Sequence, residues 1–151
     1  MIGALLVKMK GRAGGAYLNS REIDKFLKDW RDDAVFVYPG STPVSGVHRG
    51  KKRIRQWWMT FYEQFPTSHF TTNGVYVKNI MSFLPSNKMA IEWEVQVTNK
   101  DGEDFNNKGV SLVTIQGGRI ARFEDFISDQ TTLERAWSTL RLDREFSGAG
   151  D

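Results

Sequence analysis

The fold is decided by the stretch that runs from Gly117 to Asp129, Gly-Gly-Arg-Ile-Ala-Arg-Phe-Glu-Asp-Phe-Ile-Ser-Asp. Its two glycines are a turn signal, and the alternation after them predicts a strand over residues 118–127. The alternation assigns four side chains to one face: Ala121, Phe123, Asp125 and Ile127. A carboxylate among apolar neighbours is costly unless it is paired or protonated. Asp125 is therefore either a structural carboxylate, satisfied by water or backbone donors, or a functional group.

The chain before and after this strand extends the pattern. Alternating segments predict three more strands, near residues 69–80, 88–98 and 105–116. Asp101-Gly102 is a hairpin turn signal between the last two. Ser128-Asp129 begins a final helix. A run of strands with helices before and after it is typical of the α+β class, in which helices pack on one face of a curved antiparallel sheet.

Two amphipathic helices and one short strand are predicted before that run. Asn19 and Glu22 have capping-box spacing, and they precede a helical stripe of Ile23, Phe26, Leu27 and Trp30. A turn at 31–33, a strand at 34–38 and a loop at 39–46 are expected to follow. A second helix is predicted over about 51–64, where an aromatic stripe that includes Trp58 is typical of a core.

The ends of the chain are predicted to lie outside the main domain. Residues 1–18 have apolar positions at helical spacing, but three glycines interrupt them: Gly11, Gly14 and Gly15. Glycine weakens a helix interior, so this end is expected to be a poorly defined helix or an arm. A single domain is expected over 19–142, and a tail over 143–151.

Composition excludes several classes of protein. The 151 residues suit one domain, and the absence of cysteine excludes disulfides and thiolate metal sites. The net charge of +3 is small and local, so a nucleic-acid interface is not expected. No apolar run reaches transmembrane length, and neither a signal peptide nor a nucleotide-binding motif is found. We therefore expect a cytoplasmic protein with no membrane, cofactor or metal requirement.

The segment Ile91–Val97 separates its side chains into an apolar face and an acidic face, the latter carrying Glu92 and Glu94. The simpler interpretation is that the acids face solvent and the apolar row faces the core. The alternative is that the apolar row forms a dimer interface, so that both acids turn inward toward Asp125. Buried acids that cluster cannot all ionise freely, and a carboxyl with a pKa near 7 suits general acid–base chemistry.

Three other polar residues have both a structural and a functional interpretation, and a fourth, His48, has a structural one. Tyr38 is either a core residue or a hydrogen-bond donor to a developing oxyanion. Asn107 and Ser111 either supply ordinary strand polarity or polarise a substrate. His48 is expected in a loop, at the surface or as a cap.

The order of these segments resembles a known group of proteins. Asp32-Asp33-Ala34, then 39–46 and Ile54, resemble the first half of bacterial ketosteroid isomerases. Gly118–Phe126 followed by a helix resembles the end of limonene epoxide hydrolases and SnoaL-like polyketide cyclases. All belong to the nuclear transport factor 2-like superfamily. The resemblance covers roughly 19–140 and implies a cone-shaped α+β barrel. Its curved mixed or antiparallel sheet wraps around the helices and a deep pocket, commonly in a homodimer.

The resemblance carries over to individual residues only in part. Asp125 matches the catalytic aspartate of the epoxide hydrolases and the acid–base aspartate of the cyclases. Glu94 falls at the second aspartate of the epoxide hydrolases and Glu92 at their arginine, so their triad is not reproduced. Tyr38 falls at the catalytic base of the isomerases, and Ser111 at their protonated aspartate. Neither mechanism transfers whole.

These observations give one leading hypothesis and two alternatives. The leading one is a cofactor-independent isomerase, cyclase or hydrolase with four catalytic residues: Asp125, Glu94, Glu92 and Tyr38. Five further residues are expected to bind a small, mostly apolar substrate: Phe36, Trp58, Asn107, Ser111 and Ile127. The second hypothesis is a non-catalytic module that binds a ligand or a second copy, and the third is a Mg²⁺ or Ca²⁺ pocket of Glu92, Glu94 and Asp125. A homodimer through the outer face of the sheet is expected from the Ile91/Trp93/Val95/Val97 row.

Overall fold

The chain alternates helices and strands before it enters a long antiparallel meander. The structure is a computed structural model that describes residues 2–78 and 86–141. Along these ranges the elements are α1 (Ile2–Asn19), α2 (Ile23–Phe26), β1 (Trp30–Tyr38), β2 (Gly46–Arg49), α3 (Lys51–Gln64), β3 (Thr67–Val77), β4 (Ser86–Thr98), β5 (Asp104–Gln116), β6 (Arg119–Ile127) and α4 (Gln130–Trp137). The predicted tail, 143–151, lies outside the described residues.

The strands form one six-stranded sheet in the order β2-β1-β6-β5-β4-β3. β1 pairs with β6 in parallel, and the other pairs are antiparallel, so the sheet is mixed. The sheet is curved, and the helices pack against its concave face. This arrangement confirms the predicted α+β class and the cone-shaped nuclear transport factor 2-like fold.

Helix α3 supplies the aromatic centre of the core, as its sequence pattern predicts. Its buried side chains recur at helical spacing and include Trp57, Trp58 and Phe61. The Trp57 ring lies edge-on to Phe36 of β1, with the ring centroids 4.8 Å apart. Aromatic pairs of this geometry stabilise a core beyond the area that they bury. Gln64, at the end of α3, donates to the carbonyl of Ala136 over 2.9 Å and ties α3 to α4.

The helix expected between Asn19 and Trp30 is mostly absent, which corrects the prediction. Asn19 ends α1 rather than capping a new helix, and its side chain instead exchanges two hydrogen bonds with the backbone of Phe70 on β3. Only Ile23–Phe26 is helical, and Trp30 begins β1 four residues before the predicted strand. Ile23, Leu27 and Trp30 are buried and Phe26 is partly buried, but tertiary packing overrides their helical spacing.

The region after β1 also differs from its prediction. The predicted loop over 39–46 was expected to be followed by a loop position for His48, but Gly46–Arg49 pairs with β1 as an antiparallel edge strand. His48 was expected at the surface, but it is buried, and its Nε2 lies 2.8 Å from the carbonyl oxygen of Val44. Burial lowers the pKa of His48 because it disfavours the charged imidazolium. A neutral ring that donates from Nε2 is therefore part of the core.

The glycines of α1 mark the contact between this helix and β3. A Cβ added at Gly11 would lie 3.1 Å from the Val75 side chain, and one at Gly15 would lie 2.9 Å from Thr72 Oγ1. The absent side chains thus let the helix backbone approach the strand. The segment expected to be a poorly defined helix or an arm is a helix against the concave face. The predicted domain boundaries at residues 18 and 142 stay predictions.

Candidate functional site

A cavity of about 760 Å³ lies between the helices and the concave face of the sheet. Aromatic and aliphatic side chains dominate its wall, among them Trp30, Trp58, Phe123 and Ile91. The size lies within the usual range for sites that hold a drug-sized molecule. The wall also contains a few polar groups, and the register of the strands determines where these meet.

Three polar side chains form a row across β5, β6 and β1. Ser111 pairs with Asp125 in the antiparallel register of β5 and β6, so both side chains point to the same face. Val37 pairs with Glu124 in the parallel register of β1 and β6, so Tyr38 follows beside Asp125. All three of these side chains line the cavity. Tyr38, which precedes Ser111 by 73 residues and Asp125 by 87, thus joins them in one row.

Asp125 receives a chain of two hydrogen bonds. The Trp93 indole N–H donates to Ser111 Oγ over 2.8 Å, and Ser111 Oγ donates to Asp125 Oδ1 over 2.5 Å. Gly109 makes room for this chain, because a Cβ there would lie 2.7 Å from the Trp93 ring and would also collide with the carbonyl oxygen of Phe126. Trp93 and Gly109 therefore fix the hydroxyl that orients the carboxyl group.

Burial raises the pKa of Asp125 to about 7, and the hydrogen bond from Ser111 opposes this rise. Within residues 2–78 and 86–141, Ser111 is the only hydrogen-bond partner of this carboxyl group, which leaves Oδ2 for a ligand. No cation of this part of the chain forms a salt bridge with it. The group can thus exist as acid or base near neutral pH.

The Tyr38 hydroxyl accepts one hydrogen bond through its oxygen, and its own proton remains free to be donated. The Trp137 indole N–H donates to the Tyr38 hydroxyl oxygen over 3.1 Å. Burial raises the pKa of Tyr38 well above its ordinary value, and the negative charge of Asp125 adds to the rise. The hydroxyl therefore stays protonated at neutral pH and can donate a hydrogen bond into the cavity.

Comparison with known proteins identifies the family. The model of the SnoaL-like domain matches residues 15–123, which is more than half of the chain. This chain belongs to the SnoaL-like domain family. None of the curated proteins matches it in sequence.

Several solved structures share the fold of this SnoaL-like domain. Bal32a from a soil-derived mobile gene cassette has a TM-score of 0.75 and 15% identity, over 85% of this chain and 94% of that one. An NTF2-like protein from Burkholderia pseudomallei K96243 has a TM-score of 0.74 and 14% identity, over 87% and 96%. TerC, co-crystallised with polyporic acid, has a TM-score of 0.68 and 16% identity, over 84% and 94%.

The structure corrects the predicted acidic cluster of the SnoaL-like domain. Glu92 and Glu94 are exposed on the convex face, and Glu92 accepts a hydrogen bond from the Tyr76 hydroxyl there over 3.2 Å. Ile91, Trp93, Val95 and Val97 instead line the cavity. The interpretation in which the apolar row faces inward was therefore right, and the row is not available as a dimer interface. Asp125 stands apart from both glutamates.

The same correction removes the proposed cation pocket, because Asp125 and the two glutamates lie on opposite faces of the sheet. In the part of the chain that the structure describes, no three histidine, aspartate or glutamate side chains come close enough to hold a metal ion. The helices of that part also include none that is long and apolar enough to cross a membrane.

The predicted substrate-binding residues divide into three groups. Trp58, Ser111 and Ile127 line the cavity. Asn107 lies at its wall, but its side chain is bound to the backbone of Asp129, with Nδ2 donating over 2.8 Å and Oδ1 accepting over 3.2 Å. Phe36 is fully buried among aromatic rings and does not line the cavity, which corrects its assignment.

Other wall residues were missed by the sequence analysis. Residues of α1, including Gly14 and Leu18, line the cavity although this helix was assigned to a poorly defined arm. Ile120 lines it instead of Ala121, because the pairing of β5 and β6 slips between Thr114 and Ile115. The extra residue moves Ile120 to the inner face. The glycines of α1 were the available signal for a close helix–sheet contact.

Proposed function

We propose that this SnoaL-like protein is a cofactor-independent enzyme that uses Asp125 as a general acid–base on a small, mostly apolar molecule. The observation that carries the proposal is the position of Asp125, whose carboxyl group is buried in an apolar cavity and hydrogen-bonded through one oxygen to Ser111. A base of pKa about 7 in such a site suits isomerisation, cyclisation, or the addition or elimination of water.

The proposed reaction begins with proton transfer to Asp125. Its carboxylate Oδ2 takes a proton from a carbon next to a substrate carbonyl. The electron pair of that C–H bond forms a C=C bond, and the π electron pair of the carbonyl moves to its oxygen. Tyr38 donates a hydrogen bond to the oxyanion that forms. Asp125 then returns the same proton to another carbon of the conjugated enolate, which completes an isomerisation. Alternatively, the enolate carbon attacks a second carbonyl and closes a ring, and Asp125 gives its proton to the alkoxide that forms on the oxygen of that carbonyl.

Ser111 and Trp93 act on this step through Asp125. The Ser111 hydroxyl holds Oδ1 and stabilises the carboxylate, and Trp93 holds the hydroxyl. A fixed carboxyl keeps Oδ2 aimed at the substrate, so less reorganisation is needed in the transition state. TerC, which shares this fold, was co-crystallised with polyporic acid, and this supports the proposal that the cavity of this chain holds a small molecule.

The test is exchange of hydrogen for deuterium at the carbon next to the carbonyl in a panel of apolar ketones, followed by proton NMR in D₂O. The chain should accelerate exchange for at least one ketone, and Asp125→Asn should lower that rate by about 10²–10⁴-fold. Glu94→Gln is the matched control, since it removes a carboxylate from the convex face. Asp125→Asn with full activity would refute the proposal.

A non-catalytic ligand-binding module is the second candidate, because the cavity alone is enough to hold an apolar molecule. It differs from the enzyme in one measurable respect. A ketone that binds with micromolar affinity and yet exchanges at the uncatalysed rate, in the wild type as in Asp125→Asn, would favour the module.

We also propose a homodimer, now through a different set of residues on the convex face. Val110 of β5 pairs directly with Phe126 of β6, and Leu112 is the next residue of β5 on the same face. Val110 is 37% exposed, Phe126 50% and Leu112 49%. Glu94 pairs with Lys108 on the same face, and Arg122 forms an ion pair with Glu124. An apolar patch with both charge signs around it suits contact with a second copy of itself. A cytoplasmic location stays a prediction from the sequence.

A further inference from the structure

The cavity wall carries charges of opposite kind at two separate places. Asp125 lies on β6, among uncharged groups. Elsewhere the wall includes three lysines and one aspartate from α1 and the segment around α2: Lys10, Lys25, Lys28 and Asp29. We call these four residues the lysine rim.

The lysine rim has a net positive charge even after its ion pairs are taken into account. Lys10 pairs with Asp29 over 3.0 Å, and Lys25 pairs with Glu22, which is not part of the wall. The Lys28 side chain has neither a salt bridge nor a hydrogen bond within residues 2–78 and 86–141, although its backbone amide donates to the carbonyl of Lys25. Its side chain is exposed, so its ammonium group is free to meet a ligand at the cavity mouth.

The lysine rim lies beside the first residues of β6, whereas Asp125 lies near the other end of this strand. The Ile120 amide donates to the carbonyl of Asp29 over 2.9 Å, which fixes the rim beside the start of β6. Asp125 follows Ile120 by five residues, and a strand rises by about 3.3 Å per residue, so the two ends of the site are about 15 Å apart.

Aromatic side chains occupy the wall between the two ends. Trp30 stacks on Phe123, with the ring centroids 5.2 Å apart, and Phe26 lies 5.4 Å from Trp30. All three line the cavity. This middle section suits a flat apolar body and offers no charged partner.

We infer that the ligand is an elongated, mostly apolar molecule with an anionic group at one end, and that this group binds at the lysine rim. The inference deepens the proposed function and rests on it, since both need a small molecule in the cavity. An anionic group beside ionised Asp125 would be repelled strongly in an apolar cavity, whereas the rim attracts it. Charge therefore sets the orientation, and the reacting carbon lies at the end away from the anion.

The test compares two fluorescent probes that share one apolar body, 1-anilinonaphthalene-8-sulfonate and the neutral N-phenyl-1-naphthylamine. Both are titrated into the full chain, the double variant Lys25→Gln/Lys28→Gln and the control Lys52→Gln, whose side chain is exposed outside the cavity wall. The double variant should weaken binding of the sulfonate by about fivefold and leave the neutral probe unchanged. The control should change neither affinity.

Asp125→Asn tests the orientation separately from catalysis. If the sulfonate sits at the rim, this variant should change its affinity by less than about threefold at pH 8. A tenfold gain would place the anion beside Asp125 and overturn the inference, as would equal losses of both probes or no loss of either in the double lysine variant. None of these outcomes depends on turnover. The binding test can therefore support the lysine rim when the exchange assay refutes the reaction, and the exchange assay can support the reaction when the binding test refutes the rim.

Discussion

Glu124 and Asp125 are neighbours on β6, and the sheet places them in opposite environments. Glu124 points to the convex face, where Arg122 Nη2 lies 3.0 Å from its Oε2. Asp125 points into the cavity, where burial raises its pKa to about 7 and Ser111 is its hydrogen-bond partner. One carboxylate is solvated and paired, and the other is desolvated and unpaired. The side of the sheet, rather than the residue type, thus decides which carboxyl group is suited to proton transfer.

The two faces of the sheet also differ in the exposure of their apolar side chains. On the concave face, Trp93 and Phe123 enclose the cavity. On the convex face, Leu112 and Phe126 are about half exposed. The concave face is therefore sensitive to shape and to the placement of hydrogen bonds, whereas the convex face tolerates change unless a second copy covers it. Four predictions test this difference, beginning with the largest expected effect.

Gly109→Ala should give the largest loss of stability, because the added methyl would meet both the carbonyl of Phe126 and the Trp93 ring. We expect the free energy of unfolding to fall by on the order of 3 kcal/mol in a urea titration. The adjacent Lys108→Ala changes an exposed residue and should cost less than about 0.5 kcal/mol. Equal losses in the two variants would contradict the difference between the faces.

Asp125→Asn should stabilise the fold at alkaline pH. The ordinary pKa of the carboxyl is 3.8, and the folded chain raises it to about 7. Below pH 4 the group is protonated in both states, whereas between about pH 4 and 7 the unfolded chain releases its proton first, so the wild type loses stability as the pH rises. At pH 8 the variant should be more stable by on the order of 3 kcal/mol, which is less than the roughly 4 kcal/mol equivalent to a shift of about three pKa units, because the buried amide N–H groups lack partners.

Thermal unfolding of both proteins between pH 4 and 9 measures this effect. The difference in stability should be small at pH 4 and reach a plateau above about pH 7. Glu94→Gln, on the convex face, should show no such dependence. A constant difference across the whole range would show that the Asp125 carboxyl keeps an ordinary pKa.

Ser111→Ala should raise the pKa of Asp125 further, because the variant loses the hydrogen bond that stabilises the carboxylate. We expect an upward shift of about one pH unit, measured by carbon NMR of the labelled carboxyl group. Ser111→Thr keeps the hydroxyl and should shift the pKa of Asp125 less. A downward shift in Ser111→Ala would show that the hydroxyl does not stabilise the charged form.

Phe126→Glu should have the smallest effect on the stability of the monomer but should prevent dimerisation. The side chain is half exposed, so the unfolding free energy of the monomer should change by less than about 0.5 kcal/mol. If a second copy covers the convex face, light scattering at micromolar concentration should show a dimer for the wild type and a monomer for the variant. A wild type that is monomeric under these conditions would refute the proposed homodimer.

Much of the fold was predictable from local patterns. The stripe of α3 gave its bounds, Lys51–Gln64, and the hairpin signal Asp101-Gly102 lies between β4 and β5 as predicted. The segment 19–30 was not predictable in this way, because its apolar spacing fits a helix while Trp30 pairs with Ile120 in the sheet. Local periodicity records burial, and it does not record which partner buries the residue.

The candidate site was predictable only where one strand carried the signal. Asp125 was identified from its apolar neighbours, and Ser111 and Tyr38 were candidates from their strand positions and side-chain chemistry, with the family resemblance adding to both. Trp93 and Gly109 were missed as a pair, because the need for glycine arises where the Trp93 ring crosses β5. Phe36 was misplaced because a strand pattern does not distinguish a cavity wall from the packed core behind it.

The amino-acid sequence was sufficient to assign side chains to the two faces of each strand, since the two-residue period of a strand follows from backbone geometry. It separated Ile91 and Trp93 from Glu92 and Glu94, and Asp125 from Glu124. Only the tertiary structure decided which face is concave, because the alternation is the same for either direction of curvature. The packing of the helices and the register of distant strands set that direction, and they bring Tyr38, Ser111 and Asp125 into one row.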